Sequence, residues 1–160
     1  MPLDLSHMSD RAIAEALDFF GGPVVASHAN SRALVPFERN LSDGTIRRIS
    51  ARDGVVGIMP LNWALDPAWK THRDKARVAL DTVVDAVDHV GQLTGDADHV
   101  GIGSDFDGGQ GVEIAPDGID TVADLPRLAD RLSARGYGDA AVAAIMGGNW
   151  LRVLRGALPA

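Results

Sequence analysis

The sequence predicts an α/β protein built from parallel strand–helix units. Three observations carry that prediction. Short apolar runs rich in Val and Ile alternate four times with longer segments whose apolar residues recur at helical spacing. The short runs are nearly continuous rather than alternating, as expected of strands covered on both faces. Three of the four runs end in a chemically capable side chain, His7, His28 and Asp105. In parallel α/β folds ligands gather at that end of the strands.

Each element has its own justification. Pro2 to His7 reads as a short strand with a polar tip. Ser9 or Asp10 can cap a helix from about Arg11 to Phe20, with Ile13, Ala16, Leu17 and Phe20 on one face. Gly21-Gly22-Pro23 stops it. Pro23 to His28 is the second strand, and a polar loop follows to Leu41. Ser42-Asp43 caps a helix to about Arg52, ended by Gly54. Val55 to Leu61 is the third strand. After a loop carrying Trp63 and Trp69, a long helix is expected from about His72 to Leu93, with Ala76, Leu80, Val83, Val84, Val87 and Val90 facing the core. His99 to Phe106 is the fourth strand. A Gly- and Asp-rich loop leads to a helix near 122–135. Asp139 is expected to cap a last helix ending near Leu154, with a break at Gly147-Gly148.

Composition bounds the function. The 160 residues suffice for one domain with a substantial core. There are no cysteines, so a metal would be held by His, Asp or Glu, a donor set that suits zinc, manganese or magnesium. The net charge of −7 and the lack of a basic cluster argue against nucleic acid as a partner. No apolar run reaches the ~20 residues of a membrane span. No basic segment precedes an apolar one at the N-terminus, so a cytoplasmic location is expected.

The candidate site residues each admit more than one reading. A lone His7 or His28 is an ordinary helix cap or loop residue. At matching strand tips the two together favour a shared metal ion. Asp105-Phe106-Asp107-Gly108-Gly109 is a turn, an anion loop, or a place for a carboxylate that takes and returns a proton. Two carboxylates count against the anion loop. Strand alternation would put Asp105 and Asp107 on one side. Arg39 is either a surface arginine paired with Glu38 or Asp43, the plainer reading, or a bidentate partner for a substrate carboxylate. His72 reads as a solvated helix start, and His89 sits on a helix beside Asp88. His99 lies at the wrong end of its strand. Trp63 and Trp69 either cover a pocket or pack the outside of their loop.

Taken in order, Asp4-Leu5-Ser6-His7-Met8-Ser9-Asp10, Pro23 to Ala33, Arg39-Asn40-Leu41, Val100 to Gly108 and Gly147 to Val153 resemble the membrane (renal-type) dipeptidase family of zinc amidohydrolases. The resemblance runs across nearly the whole chain. It implies a (β/α)8 barrel with two zinc ions, a hydroxide bridging them that attacks the peptide carbonyl, and dipeptide substrates that often carry a D-residue at the C-terminal position. By it, His7 and His28 ligate the second zinc, Arg39 binds the substrate carboxylate, and Asp105 is the acid/base group.

The family's first-strand H-x-D pair, its bridging glutamate and a substrate-contacting histidine all precede the segment matching Asp4. The resemblance therefore implies that residues 1–160 are a single partial domain, the C-terminal half of the barrel with strands five to eight. A complete barrel takes about 250 residues. At most one partial zinc site is expected here, with little or no activity in isolation. A homodimer or a complementing N-terminal half is the expected partner; the alternative is a non-catalytic half-barrel remnant. Met59-Pro60-Leu61-Asn62-Trp63 departs from the family pattern and bears on substrate preference.

Overall fold

The computed structural model describes residues 1–106, 109 and 111–158. Four short parallel strands form its centre: β1 (Leu3–Asp4), β2 (Val24–Val25), β3 (Val56–Ile58) and β4 (Val100–Ile102). β1 pairs with β2, and β3 with β4, in parallel register. A parallel bridge from Ala26 to Val56 joins the two pairs, so the strands lie in sequence order. The strands are shorter than the apolar runs that encode them. Pairing continues beyond them through single bonds, Leu5 N–H to Val25 O at 2.8 Å and Gly103 N–H to Ile58 O at 3.0 Å.

The expected α/β order holds, and the helices differ in detail. α1 (Asp10–Phe19) is capped by Ser9, whose hydroxyl accepts from Ala12 N–H, and buries Ile13 and Leu17. α2 (Asp43–Ser50) is capped by Ser42 through Thr45 N–H and buries Ile46 and Ile49. The loop with the two tryptophans holds two single-turn helices, α3 (Asn62–Leu65) and α4 (Trp69–His72). The long helix, α5 (Leu80–Thr94), begins at Leu80 rather than His72. Arg73 turns left-handed at φ 47°, and the backbone at Val78 and Ala79 is extended to pair with Asp117, so residues 73–79 cannot join the helix. Ala76, expected in the core, is exposed.

Near the C-terminus, Thr121 caps a 3-10 turn (Val122–Asp124), and Pro126 starts α6 (Arg127–Arg135). The residue capping α7 (Asp139–Ala143) is Gly138. Asp139 instead lies in the first turn, where its charge still favours the helix N-terminus. A wider turn over Ala144–Gly148, bent at Gly147, leads to α8 (Asn149–Ala157). The break is where the two glycines predict it, and the helix runs three residues further than expected.

The core joins the inner strand residues Leu5, Val24, Ala26, Val56, Ile58 and Val100 to the buried faces of α1, α2, α5 and α6. Burial of so many β-branched side chains at roughly 1.5–3 kcal/mol each is the main term opposing chain entropy. Trp69 is buried and meets the His72 ring edge-on, while Trp63 meets Phe37 the same way, so the two tryptophans brace the loop after β3. Among the described residues no helix is long and apolar enough to cross a membrane.

Candidate active site

The ends of β1, β2 and β4 bring together the side chains that the sequence singles out. The Nε2 atoms of His7 and His28 lie 2.9 Å apart. Arg39 Nη2 is 2.9 Å from His7 Nε2, and Asp105 Oδ1 is 3.9 Å from His28 Nε2. The pairing of Arg39 with Glu38 or Asp43 is not what the structure shows. Asp43 instead accepts from His89 Nε2 at 3.0 Å and from Ser31 Oγ at 3.1 Å.

Local backbone geometry aims two of the four. His7 has φ 67° and Asp105 φ 51°, left-handed values uncommon for non-glycine residues. Each costs on the order of 1–3 kcal/mol and persists only where the surroundings enforce it. Around His7 the enforcement is visible. Met8 N–H returns to Leu5 O at 3.2 Å, and Ser6 N–H donates to Asp4 Oδ1 at 3.0 Å, closing a turn that throws the imidazole outward from the strand tip. Asp105 lies three residues beyond β4, so strand alternation does not set its direction. Asp107 lies outside the described residues.

Arg39 is held through its loop. Asp10, in the first turn of α1, binds Arg32 with both carboxylate oxygens at 2.7 and 2.9 Å. Arg32 in turn donates to Asn40 O at 2.9 Å and Glu38 O at 3.1 Å, the carbonyls on either side of Arg39. Asn40 is buried and donates to Val35 O at 3.0 Å. The loop that looks like a polar connection in sequence is therefore clamped on both sides of Arg39.

Three further residues, Asp4, Ser6 and Ser27, organise the site. Asp4 accepts from Ser27 N–H at 2.9 Å and from the Ser27 hydroxyl at 2.5 Å, and Ser27 Oγ lies 2.7 Å from His28 Nδ1. Ser6 Oγ accepts from His28 N–H at 3.1 Å. The available signal was positional: Asp4 sits three residues before His7, and Ser27 directly before His28.

The electrostatics follow the contacts. Desolvation pushes the Asp4 carboxyl upward, but its hydrogen bonds from Ser27 and Ser6 outweigh that and hold it below the usual carboxylate range. The His7 imidazole is also lowered. Loss of hydration, the Arg39 cation and His28 disfavour its charged form, against the opposing pull of Asp105 and Asp4.

His7 and His28 could hold one metal ion. Two nitrogens 2.9 Å apart are close enough for one ion to reach both at the usual Zn–N distance of about 2.0–2.1 Å. Arg39 can only donate, so the His7 Nε2 facing it offers a lone pair. Among the described residues no three His, Cys, Asp or Glu side chains group closely enough to complete a metal site. The donor chemistry thus fits part of a coordination shell. The remaining histidines lie elsewhere: His72 Nε2 meets Asp66 Oδ2 at 2.5 Å in a largely buried pair rather than starting a solvated helix, and His99 Nδ1 bonds Gly54 O at 2.9 Å.

Known proteins share this arrangement of chain. Dipeptidase tcpJ of Claviceps purpurea is 37% identical over 155 residues, which are 97% of this chain and 34% of that protein. An uncharacterised protein from the pqqA 5′ region of Klebsiella pneumoniae is 38% identical over 155 residues, 97% of this chain and 54% of that protein. The chain thus spans about a third to a half of the length of these relatives. Among solved structures, a metallopeptidase of Rhodobacter sphaeroides bound to a phosphinate mimic of the dipeptide L-Ala-D-Ala superposes with a TM-score of 0.86 at 31% identity, covering 98% of this chain and 42% of that one. Dipeptidase AC, also a metallopeptidase, superposes with a TM-score of 0.87 at 31% identity, over 99% of this chain and 44% of that one. The family described as membrane dipeptidase, peptidase family M19, matches residues 1–158, and the chain belongs to that family.

Proposed function

We propose that the chain is the C-terminal half of a zinc-dependent dipeptidase barrel and carries one side of its active site. The observation that supports this best is the convergence of His7, His28, Arg39 and Asp105 at one end of a parallel sheet. His7 and His28 would hold zinc through their Nε2 atoms. Bound zinc supplies polarisation of the scissile carbonyl and acidifies water for the attack. The other steps belong to side chains of this chain.

Arg39 binds the carboxylate of the dipeptide. Its planar fork matches a carboxylate bidentately, and that anion would separate its charge from the neighbouring cation site. Asp105 moves the proton. Asp105 Oδ1 lies 3.9 Å from His28 Nε2, too far for a direct hydrogen bond, which leaves the carboxylate free to accept from a water beside the ligating nitrogen. Asp105 can take a proton from that water and return it to the leaving amine. The phosphinate mimic bound by the Rhodobacter relative supports a dipeptide with a C-terminal D-residue as substrate.

The second reading is that the chain acts only once a partner half is assembled. It is favoured by the exposure of Leu151 and Leu154 on α8 and of Leu158 just after it, and by β1 and β4, each paired on one side only among the described residues. Unpaired edges and exposed leucines invite association. The partner is an N-terminal half or a second copy.

The purified chain tests both. Zinc titration should show weak binding, on the order of micromolar or weaker, reduced at least tenfold by His7→Ala and by His28→Ala. Equal binding by both variants would refute the metal assignment. The zinc-loaded chain should bind the phosphinate L-Ala-D-Ala mimic and lose that binding on Arg39→Ala; no binding in the presence of zinc refutes the dipeptide site. Hydrolysis of L-Ala-D-Ala should be absent for the isolated chain. Measurable hydrolysis by the zinc-loaded chain alone would remove the need for a partner half.

A further inference from the structure

We propose that Asp4 and Ser27 form a hydrogen-bond relay that fixes the tautomer of His28, so that its Nε2 lone pair faces the space it shares with His7. The relay starts at an ion. An ionised carboxylate can only accept, and Asp4 takes three donors, the Ser6 N–H, the Ser27 N–H and the Ser27 hydroxyl. The one hydroxyl proton of Ser27 therefore points to Asp4 Oδ2, 2.5 Å away. That leaves Ser27 Oγ as the acceptor in its 2.7 Å contact with His28 Nδ1, and His28 must supply the proton. In a neutral imidazole with Nδ1–H, the other nitrogen carries a lone pair. Ser6 is compatible: its hydroxyl lies 3.3 Å from Ser27 Oγ and can donate to the remaining lone pair there, while accepting from His28 N–H.

The opposite side of the pair has the same polarity. Arg39 forces His7 Nε2 to accept. Two unprotonated nitrogens then lie 2.9 Å apart with no proton between them. This is unfavourable on its own and is relieved by a cation, so the polar network prepares the space for one. Metal-binding histidines in general donate their second N–H to a carboxylate or similar acceptor. Here a serine lies between the ring and the carboxylate.

Ser27 is placed for the task by backbone packing. A Cβ on Gly103 would meet Ser27 O at 1.9 Å, and one on Gly57 would meet the same oxygen at 2.1 Å. Only glycine permits β3 and β4 to close on the Ser27 carbonyl this tightly. The Ser27 N–H and hydroxyl are bound to Asp4 on β1, so the residue is fixed from three strands. Asp4 and Ser27 are accordingly positioning residues that act through His28.

The identity of the cation rests on the zinc reading above; the tautomer does not. The experiment separates them. In the 15N-labelled chain at pH 8, two-bond 1H–15N correlation, assigned with His28→Gln, should show His28 protonated at Nδ1 and bare at Nε2. Asp4→Asn keeps the shape and leaves Oδ1 to accept from Ser6 and Ser27 N–H, but turns a donor toward Ser27 Oγ. The Ser27 hydroxyl then donates to His28 Nδ1, and the ring should switch to Nε2–H. Zinc affinity should fall about tenfold or more. A wild-type ring protonated at Nε2, or an unchanged tautomer in Asp4→Asn, overturns the relay. Should Asp4→Asn not fold, Ser27→Ala serves: a mixed tautomer supports the relay and an unaltered Nδ1–H population overturns it. Wild-type chain that shows the expected tautomer but binds no zinc overturns the zinc reading and leaves the relay standing.

Discussion

Gly103→Ala is the sharpest probe of how the strands carry the site. The added Cβ would lie 1.9 Å from Ser27 O, 2.9 Å from Ser27 C and 3.1 Å from Gly57 Cα. All three obstacles are backbone atoms, so no side chain can rotate away. Restoring an ordinary contact of about 3.4 Å requires β2 and β4 to separate by about 1.5 Å. That motion loads the bonds that tie the strands, Gly103 N–H to Ile58 O at 3.0 Å and Ala29 N–H to Gly57 O at 2.8 Å. Overpacking costs about 1–3 kcal/mol, and a rigid obstacle belongs at the upper end. At about 2–4 °C per kcal/mol for a chain of this size, the melting temperature should fall by about 6–12 °C. Because Ser27 moves with β2, zinc affinity should fall as well. Gly21→Ala is the control, since a Cβ there meets nothing within 4 Å. Thermal unfolding of the three proteins is the assay. A Gly103→Ala melting temperature within 2 °C of wild type, with unchanged zinc affinity, would refute the claim that Ser27 is clasped between the glycines.

Two further predictions concern Asn30 and Asp43, polar side chains held by distant partners. Asn30 is buried; its amide donates to Met59 O at 3.0 Å and Ala64 O at 3.2 Å, and its carbonyl accepts from Met59 N–H at 2.8 Å. Asn30→Ala strands the buried Met59 N–H and Met59 O and leaves Ala64 O with only the Asn40 amide at 3.4 Å, so it should cost about 2–4 kcal/mol in urea unfolding, whereas a loss under 1 kcal/mol would show that water replaces the side chain. Asp43 is held below its ordinary value by its hydrogen bond to His89 and that to Ser31, against some desolvation. A depressed carboxyl stabilises the fold above the unfolded-state value of 3.8, and the contribution is lost as pH falls through the lower folded-state value. The stability gap between wild type and Asp43→Asn should therefore shrink from pH 6 to pH 3. The pair is partly solvent-screened, so the gap at pH 6 should be under about 1 kcal/mol. A gap that widens toward pH 3 would contradict the sign.

Much of this was legible in the sequence because it depends on local rules. Ser9 and Ser42 announce their helices by type and position, and both cap as expected. The strand order follows from apolar runs of Val and Ile. His7, His28 and Asp105 stand out because a polar residue at the end of such a run has few local reasons to be there. The hidden parts depend on distant partners. His89 looks like a helix residue beside Asp88 until Asp43, forty-six positions away, is placed beside it. The extended backbone at residues 78–79 answers to Asp117, so helical spacing alone started α5 too early. Asp4 and Ser27 are ordinary strand-end residues in sequence, and their link to His28 exists only once β1 and β2 are paired.

The site also shows an uneven distribution of constraint. His28 is fixed by Ser27 and Asp4 across two strands, and Arg39 by the Asp10–Arg32 clamp on its loop. His7 sits in a left-handed turn closed by two hydrogen bonds. Asp105 has a left-handed backbone as well, but lies beyond the strand, where the local hydrogen bond among the described residues, Phe106 N–H to Ser104 Oγ at 3.4 Å, is a marginal contact. A rigid group suits a lone pair that must meet a cation in one direction. A proton-transferring carboxylate must reach both an attacking water and a leaving amine, and gains from a looser hold. With the roles proposed above, the binding residues are the more tightly held among the described residues, so substitutions that stiffen residues 103–106 should affect turnover in an assembled protein more than they affect zinc or dipeptide affinity.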